Sequence, residues 1–209
     1  AKQNVTWIRN NTQAYIHADL IFGLPGESVD SFASSFNQLY DLSPHEIQVG
    51  ILKRLKGSPI VRHTQKHQLV FNPNPPFSIL SSDTVDYGQV QFVNRFARYW
   101  DLVGNSGRFK ATLELVLADQ PFERFSVFVD ALYLTTGQTH KISLLRLYDL
   151  VFEIGVEHLA IASPLLLIAI EHDYSQSGLK SLPKCLNKNL AQTGAHKTKK
   201  SHNSRQARH

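Results

Sequence analysis

"HADLIFGLPGES", residues His17 to Ser28, is an apolar run that stops at Gly-Leu-Pro-Gly and resumes with a carboxylate. From Tyr15 to Phe22 the residues are mostly apolar and bounded by Gly and Pro, as in a strand buried on both faces. Gly23 to Ser28 is the break. Val29, Phe32, Phe36, Leu39 and Tyr40 then recur at helical spacing behind Ser28 as N-cap, so a helix runs to about Asp41. "EIQVGIL", Glu46 to Leu52, sets Ile47, Val49 and Ile51 on one side and reads as a second strand. Strand, helix, strand is a βαβ unit, whose parallel strands call for further strands beside them.

Downstream, Gly57-Ser58-Pro59 reads as a turn that opens a short helix with Pro at its first position. "FNPNPPF", Phe71 to Phe77, cannot be helical and reads as a linker. Beyond it the pattern is helical. A helix is expected from near Ser82, with Val85, Val93, Phe96, Ala97 and Trp100 on one face. Further helices are expected in "RFKATLELVLAD", "PFERFSVFVDALYLTT", "ISLLRLYDLVFEIG" and "SPLLLIAIEHDY", separated by Gly, Pro and polar turns. Periodicity ends after Leu182-Pro183. The expected organisation is α/β over residues 1–77, all-helical over 78–185, and an unstructured basic tail over 186–209.

With 209 residues, 42% of them hydrophobic, the chain can bury a real core. Its formal charge of +5 suggests nucleic-acid binding until the charge is located. Seven of the 22 bases lie from Lys184 onward with no acid among them, leaving 15 bases against 17 acids in the body. The basicity belongs to the tail, and nucleic acid is not the expected partner. Cys185 is the only cysteine, which rules out an intrachain disulfide and favours a cytoplasmic setting. The longest apolar run, Leu159 to Ile170, is shorter than the roughly 20 residues of a bilayer span and contains Ser163-Pro164, so it reads as the start of a buried helix. The start at Ala1 and the lack of any methionine are what a piece of a longer protein would give.

At the C-terminal end of a parallel strand, a Gly-rich turn lets backbone N–H groups approach a ligand closely. Gly23 and Gly26 suit that role, while Glu27 stands at the helix start, where it faces the positive dipole end or accepts a bond from a ligand. The same residues also suit a plain tight βα turn. They are not a P-loop, because no Gly-Lys-Ser/Thr follows.

"HADLIFGLPGES", followed by a helix and "HEIQVGILKRLKGSPIVRH", resembles the late strands of the radical S-adenosylmethionine barrel in proteins that carry a cobalamin-binding domain upstream. "NPNPPFSIL", "RFARYWDLVGNSGRF" and "DYSQSGLKSLPKCL" are similar to the uncharacterised helical domain that closes one branch of those proteins. The resemblance implies a partial (β/α) barrel followed by a helical domain, with S-adenosylmethionine and a four-iron, four-sulfur cluster as cofactors of the whole enzyme, with or without cobalamin, and none of them held stably by this chain alone. Of the strand end Asp19, Ile21, Gly23, Gly26 and Glu27, it gives Ile21 and Gly23 contact with the adenosyl group and Glu27 the task of holding the loop. Strand 46–52 would be the last of the barrel, with Gln48, Gly50 and Lys53 toward the substrate cavity. The cluster of such enzymes needs the three cysteines of a CxxxCxxC motif, and this chain has one cysteine, so it is expected to be inactive alone.

Other groupings in the chain point to other chemistry. His63 and His67, spaced i, i+4, could begin a zinc site, but no third ligand is evident and a solvated helix face is the better account of them. Cys185 has no His or acid partner in the sequence that would make it a nucleophile. Arg95, Arg98, Tyr99 and Trp100 mix guanidinium with aromatic groups in a way that can stack on bases, yet Trp100 falls on the apolar face with Phe96 and Val93, which makes it core. The alternative to a severed enzyme is a helical module that acts by binding a partner. Self-association through open sheet edges is expected of a severed barrel.

Overall fold

A computed structural model describes residues 2–187 of the chain. Helix α1 (Lys2–Asn11) precedes strand β1 (His17–Phe22), helix α2 (Val29–Asp41) and strand β2 (Glu46–Ile51). β1 and β2 pair in parallel with His17 opposite Glu46, Asp19 opposite Gln48 and Ile21 opposite Gly50. The βαβ reading of the sequence therefore holds. Ser28 caps α2 as expected: its side chain accepts from the Ser31 N–H at 3.2 Å, and the Ser31 hydroxyl accepts from the Ser28 N–H at 2.9 Å. Helix α1 lacks a comparable apolar stripe, and its Trp7 is exposed.

Past β2, Pro59–His63 forms the short helix expected there, of 3-10 type, with Ser58 as its cap. "FNPNPPF" is not a linker. It is the turn of a small hairpin between β3 (Val70–Phe71) and β4 (Ile79–Ser81), with a cis Pro75–Pro76 peptide. The hairpin continues from β2, since the Ile79 N–H donates to the Leu52 carbonyl at 2.9 Å and the Arg54 N–H to the Phe77 carbonyl at 2.9 Å.

Helix α3 (Tyr87–Val103) begins five residues later than the sequence reading put it. The Ser82 hydroxyl accepts from the N–H groups of Thr84 and Val85, which folds 82–85 into a turn, and Asp86 with Gln89 forms the true capping box. The remaining helices are α4 (Lys110–Leu117), α5 (Pro121–Thr136), α6 (Leu144–Glu157) and α7 (Ser163–Ser175), within about two residues of expectation. No described helix is long and apolar enough to cross a membrane.

Two buried carboxylates cap helices from a distance. Asp173 of α7 accepts from the N–H groups of Ala111 and Thr112, at 3.1 and 2.9 Å, at the start of α4, whose own N-cap Phe109 offers no side-chain acceptor. Asp149 of α6 does the same for the helical turn 184–187 through the Cys185 N–H at 2.9 Å. That turn buries Leu186, which the sequence reading had assigned to the tail. The rest of the expected tail, from 188, lies outside the described residues.

The core is one continuous cluster that runs from Phe22 to Leu186. Its densest part is aromatic. Phe36 of α2 meets Phe96 and Trp100 of α3 edge-on, with centroids 5.1 and 4.9 Å apart, and Phe122 of α5 stacks on Phe96 at 4.9 Å. One face of the β1–β2 pair buries Ile47 and Val49 against this layer. The outer edge of β2 is closed at Ile47, where the Asn105 side chain accepts from the backbone N–H at 3.2 Å and donates to the carbonyl at 2.9 Å. An amide side chain thus takes the place of a neighbouring strand there.

Candidate functional site

Alternation along the two strands leaves His17, Asp19 and Ile21 of β1, with Glu46, Gln48 and Gly50 of β2, on the face turned away from the helices. Parallel sheets are ordinarily covered on both faces. Near the C-terminal ends of the strands this face forms a cleft of about 350 Å³, lined by Asp19, Ile21, Gln48, Gly50, Lys53 and Leu55 among others. Ile21, Gln48, Gly50 and Lys53, singled out from the sequence, therefore meet in one place. Gly50 has no side chain to fill the groove beside Ile21, which is 44% exposed, so the floor there is apolar.

Toward the N-terminal end the face is polar. His17 Nδ1 lies 3.1 Å from Glu46 Oε2, and its Nε2 lies 3.0 Å from Asp19 Oδ1 and 3.1 Å from Gln48 Oε1. Hydrogen bonds to Glu46 and Asp19 raise the imidazole above its ordinary pKa, as expected of a cation between two carboxylates. His17 carries no motif of its own in the sequence. The available signal was His-x-Asp on one strand and Glu-x-Gln on its parallel partner, which becomes readable only once the register is fixed.

Gly23, Gly26 and Glu27 do not line the cleft; they build the turn at its end. The Glu27 carboxylate folds back to accept from the N–H groups of Gly23 at 2.7 Å and Leu24 at 3.2 Å. Burial pushes the Glu27 carboxyl up, and the two N–H donors oppose that shift. Holding the loop is the role that the resemblance gives Glu27.

Gly23 and Gly26 both stand at positive φ, and at Gly23 packing adds a second reason. Gly23 sits at φ +93°, and a Cβ there would fall 2.8 Å from Ile79 Cγ2; Gly26 sits at φ +77°, where a Cβ would make an ordinary 3.7 Å contact with His67 Cε1. The Thr84 hydroxyl donates to the Glu27 carbonyl. Residues 67–84 thus press on the loop from below.

His63 and His67 stand with ring centroids 6.2 Å apart, His63 exposed and His67 half-buried, with Nδ1 3.4 Å from Asp83 Oδ2. Among the described residues no group of three or more His, Cys, Asp or Glu is placed to hold a metal ion. Cys185 is buried, and burial together with Asp149 pushes its thiol up to about 12, the reverse of what a nucleophile or thiolate ligand needs. Tyr99 and Trp100 are both core residues, so neither offers a face to a base.

Residues 65–209 match a family described as protein of unknown function (DUF4080). This chain belongs to the DUF4080 family. Among curated proteins none matches it. The DUF4080 match takes in the hairpin, helices α3 to α7, His67, Thr84 and Cys185, while the βαβ unit with its cleft and Gly-rich turn precedes it in the chain. The supports beneath the turn are DUF4080 residues.

Proposed function

We propose that this chain is the C-terminal part of a cobalamin-type radical S-adenosylmethionine enzyme: the last two strands of a partial (β/α) barrel, joined to a helical domain. It contributes one wall of the S-adenosylmethionine and substrate site in a cytoplasmic enzyme. The observation that carries the reading is the uncovered face of a parallel strand pair, with a cleft at its C-terminal end and a Gly-rich turn beside it. Ligands of α/β folds bind at that end.

Ile21 and Gly50 suit the flat apolar face of an adenine, and the Glu27-braced turn brings the Gly23 backbone beside it. Asp19, Gln48 and Lys53 supply polar groups for a substrate. The cluster is another matter. It needs three thiolates, and the one cysteine here is buried and protonated, so this chain's own residues do not fit the group. No redox step is assigned to them, and the chain by itself is inactive.

The test is to read the coding sequence immediately upstream of Ala1. An in-frame CxxxCxxC, followed by the earlier barrel strands, supports the reading; a stop codon, or the motif in another frame only, overturns it. In the longer protein, Ile21→Asp should weaken S-adenosylmethionine binding by at least tenfold, while a change at exposed Tyr87 should not.

A non-catalytic interaction module is the second reading, favoured by the exposed Leu165 and Ile168 of α7. Size-exclusion of the chain alone separates the two. A cooperatively folding monomer is the module's behaviour, and association that Asp substitutions on the open sheet face abolish is the severed barrel's.

A further inference from the structure

Arg95 and Arg98 lie one helical turn apart on α3, where they border a cleft of about 580 Å³ that reaches the end of α5. The lining also includes Asn94, Tyr133, Gln138 and His140, and no carboxylate. That is unusual in a body whose acids outnumber its bases. Among the described residues neither arginine has an ion-pair partner.

Both guanidinium groups are nonetheless held in place. Arg95 stacks on the Tyr133 ring with its central carbon 4.7 Å from the centroid, and its buried Nε has no hydrogen-bond partner. Arg98 donates from Nε to the Thr139 carbonyl at 3.3 Å. Tyr99 braces the same segment through a 2.9 Å bond from its hydroxyl to the Gln138 carbonyl.

Two positioned, uncompensated guanidinium groups carry an unsatisfied positive field, and a bound oxyanion would relieve it. A carboxylate engages one guanidinium fork, whereas a phosphoryl group has oxygens enough for two. The cleft is within the range of about 300 to 1,000 Å³ typical of organic-ligand sites, larger than a phosphoryl group alone requires. Asn94 and Gln138 can bond to polar groups on the remainder of the ligand, and Tyr133 offers apolar surface.

We propose that the cleft between α3 and the end of α5 binds a small organic phosphate, with Arg95 and Arg98 on the phosphoryl group. All of its residues fall inside the DUF4080 match, so the site stands independently of the barrel reading.

The test titrates inorganic pyrophosphate into the full chain and follows backbone amide resonances. Saturable shifts at Gln138, Thr139 and His140 are expected, weakened at least tenfold in Arg95→Gln/Arg98→Gln. Arg98→Gln alone breaks just one exposed bond, so it folds, and it should weaken binding at least threefold. Arg98→Lys should recover only part of that loss. Absence of saturable shifts overturns the proposal. So do shifts that persist undiminished in the double variant, or that map only to the basic residues from 188 onward, where pyrophosphate would be an ion on the tail.

Discussion

Gly23→Ala puts the reading of the Gly-rich turn to a quantitative test. An alanine at φ +93° takes on backbone strain of about 1–3 kcal/mol. Its methyl would also lie 2.8 Å from Ile79 Cγ2, on a side chain that is 1% exposed and has nowhere to retreat. Displacing a packed core group adds about 1–3 kcal/mol, for a total near 4 kcal/mol. Gly57→Ala is the matched control, with φ +79° and nothing within 4 Å of the new methyl. In urea melts with a slope of about 2 kcal/mol/M, Gly23→Ala should lower the midpoint by about 2 M and Gly57→Ala by about half as much. The cycle with Ile79→Ala adds a second readout. That substitution alone costs about 2–5 kcal/mol, but the double variant should cost at least about 1 kcal/mol less than the sum of the two. Equal losses at Gly23 and Gly57, together with additivity at Ile79, would refute the claim that Gly23 is there to admit Ile79.

Asp173→Ala should destabilise the chain by about 3 kcal/mol in the same melts, because it uncaps α4 at one buried and one half-buried N–H group, and Asp173→Asn should recover part of the loss. The Cys185 thiol, pushed up to about 12, should resist a thiol reagent at pH 8 in the native protein and react at once in urea. For His17, NMR titration should give a value above 6.5, and Glu46→Gln should lower it. Because the folded-state value is the raised one, the stability that His17 adds is complete below pH 6.5 and fades as pH rises through the folded value. Asn105→Ala should expose the edge of β2 at Ile47, seen as concentration-dependent association in sedimentation runs.

The βαβ unit was legible in the sequence because its signals are local: Ser28 before an apolar helical face, Pro and Gly at the break, and alternation in "EIQVGIL". The start of α3 was misplaced because Ser82 and Asp86 are both plausible caps. Only the bonds from Ser82 to the N–H groups of Thr84 and Val85 show that the first makes a turn. The hairpin was missed for a different reason. The two-residue and three-residue strands around "NPNPPF" are set by pairing with each other and, for Phe77 and Ile79, with Arg54 and Leu52, not by period. At the candidate site, Ile21, Gln48, Gly50 and Lys53 were found by resemblance and alternation, whereas the His17 cluster depends on cross-strand register. Arg95 is visible in the sequence only as a charge flanking the apolar face of α3, because a helical projection does not show Tyr133 beneath it.

The aromatic layer bears on where this protein can be divided. Phe32 and Phe36 belong to the βαβ unit, Phe96, Trp100 and Phe122 to the matched family region, and they interlock edge to face. A cut at residue 65 would strip one side from that stack and leave three large rings facing water. The border of DUF4080 is a border of sequence similarity, and the cooperative unit extends back across it at least to Phe22. Whatever chemistry the helical region serves, it is mechanically bound to the strands that carry the cleft. A ligand that stiffens either one will be felt as stability by the other.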